Sequence, residues 1–100
     1  MAELIVVYWR DIPAQVIVRA GRRNQVKVEL PPRFAQAIDI AAMKGGARGA
    51  DDYLAEWRKA DPVTVSDDLQ AEADAMARTL DARYDEAALK ELTKNGGRTL

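Results

Sequence analysis

Residues 3–10, ELIVVYWR, are apolar from Leu4 to Trp9. Their β-branched and aromatic side chains predict a strand. Alternation places Leu4, Val6 and Tyr8 on one face and Ile5, Val7 and Trp9 on the other. Both faces are apolar, the mark of a strand inside a sheet and covered on both sides, by its own chain or by a partner. Asp11-Ile12-Pro13 breaks the run, since proline has no N–H for a ladder. AQVIVRA (14–20) reads as a second strand and GRRN (21–24) as a turn. QVKVEL (25–30) alternates, with Val26, Val28 and Leu30 inward and Lys27 and Glu29 outward. The three strands form an antiparallel meander with short connections.

The period then changes. Pro31-Pro32 ends the third strand and suits the first turn of a helix. In RFAQAIDIAAMK, Phe34, Ala37, Ile38 and Ala41 form one stripe, which Ile40 and Met43 widen. Gly45-Gly46 stops this helix. Asp51 and Asp52 open a second, with Tyr53, Leu54 and Trp57 as its apolar side and Asp61-Pro62 as its end. VTV (63–65) is a short fourth strand. Ser66 is the expected N-cap of a helix over 67–82, where Leu69, Ala73, Met76 and Leu80 share a face. Asp85 caps a last short helix bearing Leu89 and Leu92, stopped by Asn95-Gly96-Gly97; a single bent helix over 67–94 is the alternative. The order is β-β-β-α-α-(β)-α-α. It predicts one α+β domain over 1–100, a small antiparallel sheet of three to four strands with helices packed on it.

Composition narrows the chemistry. An apolar fraction of 48% and a charged fraction of 31% are those of a folded, soluble chain. There is no cysteine and no histidine. Disulfide scaffolds, thiol nucleophiles, cysteine-type zinc sites, serine–histidine triads and imidazole ligation are excluded, and a cytoplasmic setting is expected. No apolar run is long enough to span a bilayer, so no membrane segment is expected. Residues 1–60 carry ten Lys/Arg against seven Asp/Glu, and residues 61–100 carry five against nine. The front is mildly basic and the back acidic.

Four groups of residues bear on function. Arg19, Arg22, Arg23 and Lys27 surround the first hairpin turn and suit phosphate contacts, although a solvated turn needs no more than this. GGARGA (45–50) contains a Gly-x-x-Gly between two helices. It is similar to the loop with which KH RNA-binding domains clamp a nucleic-acid backbone. Here Arg48 supplies the charge, while Asp51 and Asp52 directly after it would repel phosphate. Asp52/Glu56 and Asp68/Glu72 are carboxylate pairs at helical spacing, suited to Mg²⁺ or acid–base work, or simply to helix first turns. Finally, Tyr8 and Trp9 point to opposite faces, so one of them is expected at a surface where the domain meets something else.

ELIVVYWRDIPAQV (3–16), LPPRFAQAID (30–39) and YLAEWRK (53–59) together resemble a small bacterial domain family described as virulence factor, of the conserved virulence factor C-type C-terminal kind. The resemblance implies a family name and no catalytic residues. The expected function is a non-enzymatic accessory domain with no cofactor. It would bind a protein partner or a second copy of itself through Tyr8, Trp9 and Arg10, because the two-faced first strand needs a second cover. The alternative is a nucleic-acid binder using Arg19, Arg22, Arg23, Lys27 and Arg48. An enzyme built on carboxylates or on Arg10 and Asp11 would need a concave pocket that the pattern does not predict.

Overall fold

The computed structural model describes residues 2–44 and 49–98. The first strand is the centre of the fold. β1 (Ala2–Trp9) pairs antiparallel with β2 (Ile12–Ala20), which pairs with β3 (Asn24–Glu29). Val6, Val16 and Val28 lie side by side across the three strands, as do Leu4, Val18 and Val26. The β1–β2 register slips between Val7 and Tyr8, where Val7 opposes Gln15 but Tyr8 opposes Pro13. Proline is thus seated at a bulge, where the missing N–H breaks no regular ladder.

After β3 come α1 (Pro32–Lys44) and α2 (Ala50–Ala55). The second helix is shorter than its pattern predicts. Glu56 is its C-cap, and Trp57–Lys59 forms a strand, β4, opposite Trp9, Tyr8 and Val7. The reason is tertiary. The second edge of β1 offers a row of unpaired backbone groups, and pairing them outweighs the weak preference of a six-residue helix to extend. β5 (Val63–Val65) pairs with the other half of β1, as VTV suggests. Between them the Ala60 N–H donates to the Val6 carbonyl at 2.9 Å. Residues 57–65 therefore act as one interrupted edge strand, and the sheet order is β3-β2-β1 followed by β4 and β5.

α3 (Leu69–Arg83) and α4 (Glu86–Lys94) are two helices, not one bent one. Asp68, not Ser66, caps α3 through the Ala71 N–H, while the Ser66 N–H donates back to Glu72 at 2.8 Å. Asp85 caps α4 through the Ala88 N–H at 2.9 Å. From α1, the Arg33 guanidinium donates to the Asp81 and Tyr84 carbonyls and pairs with the Asp81 carboxylate, which ties α1 to the end of α3.

Leu4, Val6, Val16 and Val18 share a core with Ala73 and Leu80 of α3, the Phe34-Ala37-Ile38-Ala41 stripe of α1, and Leu89 and Leu92 of α4. Ile40 and Met43 do not widen that stripe: they are 46% and 69% exposed. At about 100° per residue Met43 falls opposite the stripe and Ile40 on its flank. On the other sheet face Ile5, Val7 and Ile17 are buried outside the main core. Lys27 stands directly opposite Ile17, and Lys59 directly opposite Val7. β1 was expected to be covered on both sides by its own chain or by a partner, and its own chain buries both faces.

Candidate functional site

The turn after β1 is a clamp. Arg10 adopts a left-handed φ of 54°, uncommon for a residue with a side chain. Its N–H donates to the Glu56 carbonyl at 3.0 Å, and the Asp11 N–H donates to the Gly97 carbonyl at 2.8 Å. The Arg10 guanidinium donates to the Gly96 carbonyl at 2.7 Å and pairs with the Glu56 carboxylate at 3.5 Å. Arg98 reaches the other Glu56 oxygen at 3.6 Å. Arg58 donates to the Arg10 carbonyl at 2.8 Å and pairs with Asp11 at 3.2 Å. The strand turn, the α2–β4 junction and the C-terminal glycines are thus joined at one corner.

This corner relocates the expected interaction residues. Trp9 is fully buried, stacked on Tyr53 at 5.7 Å, with its indole N–H donating to the Tyr53 carbonyl at 2.9 Å. Arg10 lies over the Trp9 ring at 4.8 Å, and its guanidinium bonds Gly96 and pairs with Glu56 in the clamp. Neither offers a surface. Tyr8 is half-buried, with the Arg58 guanidinium 4.5 Å above its ring. Trp9 packs against Tyr53 of α2, and its ring lies beside Ala41 of α1 and Gly97.

The other candidates fall apart. Glu56 belongs to the clamp, and Asp68 and Glu72 are used in capping, so the carboxylate pairs serve local structure. Among the described residues no cluster of three acidic or ligating side chains could hold a metal. Arg19, Arg22, Arg23 and Lys27 are all exposed at one end of the β2–β3 hairpin, where Gly21 takes a φ of 72°. Arg48 and the rest of the glycine loop at 45–48 lie outside the described residues.

Two concave features were not expected. A shallow groove of about 210 Å³ runs between α1 and α4, floored by Ala37 and Leu89 and flanked by Ile40, Arg33 and Lys90. A larger cleft of about 350 Å³ lies where α1, α2 and β4 meet the open end of the β2–β3 pair. Its walls include Ile38, Tyr53 and Trp57, and Gln15, Glu29 and Asp39 supply polar groups. The Tyr53 and Trp57 rings meet edge to face, 6.0 Å apart and 83° to one another. The Tyr53 pKa is raised, first by burial and then by the nearby Asp39 charge, against a side-chain hydrogen bond with Trp57 that lowers it. The sequence placed both rings on one helical stripe. Their perpendicular arrangement arises only because α2 stops between them.

The model of one protein family, described as virulence factor, matches residues 7–93. The chain belongs to the virulence factor family. The match takes in β1's aromatic end, the clamp up to Arg58, the cleft and the helices as far as Thr93 of α4 in this virulence factor domain. Comparison with curated proteins and with solved structures found no match. Among the described residues no helix is long and apolar enough to cross a membrane.

Proposed function

We propose that this virulence factor domain is a non-enzymatic binding domain whose partner is a protein or a second copy of the chain. The outer side of α1 carries the reading. Ile40 and Met43 face solvent on a helix whose inner side is already fully used in the core. Beside them runs the α1–α4 groove. Large apolar side chains grouped beside a groove with a charged rim suit a protein surface better than a small substrate. Leu54 on α2 is a further exposed apolar side chain, at 62%. The absence of cysteine supports a cytoplasmic setting for it.

The test compares the wild-type chain with an Ile40→Glu/Met43→Glu variant, both immobilised and both shown to unfold at the same temperature. The reading expects a protein, the chain's own free copy included, that the wild type retains and the variant loses. Identical retention by both would sink it. A second reading, nucleic-acid binding, has one observation in its favour, the exposed group Arg19, Arg22, Arg23 and Lys27 at the hairpin end. It requires binding of labelled single-stranded RNA that weakens as salt rises and disappears with Arg22→Glu/Arg23→Glu.

A further inference from the structure

We propose that the cleft between α1, α2 and β4 binds an organic cation, an alkyl-ammonium or guanidinium group, seated against the Tyr53 and Trp57 rings and balanced by Asp39 and Glu29. This goes beyond a protein-binding role, since a free amine would fit the same site.

Three features of the cleft point to a cation. The first is the aromatic corner. Tyr53 and Trp57 both line the cleft with their rings 83° to one another, which gives it an aromatic wall for a positive group to lie against. The corner is held in place, because Tyr53 is stacked on buried Trp9 and its carbonyl accepts the Trp9 indole N–H. The second is charge. Among the described residues lining the cleft there are two carboxylates, Glu29 and Asp39, and no basic side chain. Asp39 lines the cleft together with Tyr53 and Trp57. Glu29 is directly opposite Gln15 in the β2–β3 register, which puts a carboxylate and an amide side by side on the cleft's far edge. An anion would be repelled there. The third is size and lining. About 350 Å³ is at the lower end of ligand-site volumes. It suits a charged head with a short stem lying on Ile38 and Leu30, the shape of a lysine or arginine side chain or of a small alkylamine.

The experiment titrates the ¹⁵N-labelled full chain with butylammonium and butylguanidinium, and with butanol as the uncharged control. The readout is the Trp57 indole and the amide resonances around Tyr53. Saturable shifts with the two cations, and none with butanol at the same concentrations, are expected. Asp39→Asn and Glu29→Gln should each weaken binding about threefold to fivefold, the scale of a partly exposed ion pair. Asp39→Lys should abolish it. Capped lysine and arginine peptides form the second arm. If they bind more tightly than the butyl cations, the source is a side chain of a protein; if more weakly, it is a free amine. Asp39 is exposed, so its variants are expected to fold, and matching thermal unfolding confirms it. Equal affinity for butanol, no saturable shift with either cation, or wild-type affinity in Asp39→Lys would overturn the proposal. Each of these leaves the α1 partner surface untouched, because its test involves other residues.

Discussion

Gly97 shows how tightly the corner around Trp9 is built. A Cβ placed there would meet Trp9 Cζ3 at 2.9 Å, and the residue has a φ of 88°. Both space and backbone angle demand glycine. Gly97→Ala should therefore lower stability by about 2–3 kcal/mol in chemical denaturation, combining overpacking with a left-handed penalty. Gly21 has a similar φ but open space around it, so Gly21→Ala should cost about 1 kcal/mol only. Arg10→Ala should cost about 2 kcal/mol, because it removes the bond to Gly96 and one of the two arginines that, among the described residues, pair with Glu56. The importance of the Trp9-Arg10-Asp11 stretch was legible in the sequence; its role was not. Aromatic and charged residues before a proline look alike whether they form a site or clasp distant segments, and the clasp partners lie 44 or more positions away.

Among the elements, those with local causes were readable. Three strands and four helices follow from period and punctuation, and Asp85 works as the cap its position predicts. The exception is 57–59, where helix periodicity continues through Trp57 yet the chain extends to meet β1. A local pattern cannot show that a strand elsewhere has an unpaired edge. Because Ala60 supplies a ladder hydrogen bond to Val6 between β4 and β5, Ala60→Pro should lower stability by about 2 kcal/mol or more, whereas Ala60→Ser should lie close to wild type. The cleft depends on the same helix-to-strand switch, since it sets Tyr53 and Trp57 at right angles. That is why both rings could be read as core aromatics but not as a binding corner.

For the whole molecule, ionisation of two tyrosines links fold to pH. The pKa values of Tyr53 and Tyr84 are both raised above 10.0, chiefly by burial. A raised acid pKa means that the neutral form is favoured by folding. The associated stability is full below the unfolded value and falls as pH rises through the folded one. Unfolding midpoints should thus decline above about pH 10, together with a delayed phenolate absorbance in the native chain. Tyr53→Phe/Tyr84→Phe should flatten both curves. A fold held by one shared core and a corner clamp leaves the outer side of α1 with no structural task, and the binding role proposed for the virulence factor domain rests on that side. The most direct test is amide hydrogen exchange of the chain alone and saturated with the protein it retains, or at high self-concentration if that protein is itself. The account predicts new protection over Pro32–Lys44 and Glu86–Lys94 and none at the Gly21–Arg23 turn. Protection confined to that turn, with α1 and α4 unchanged, would contradict it.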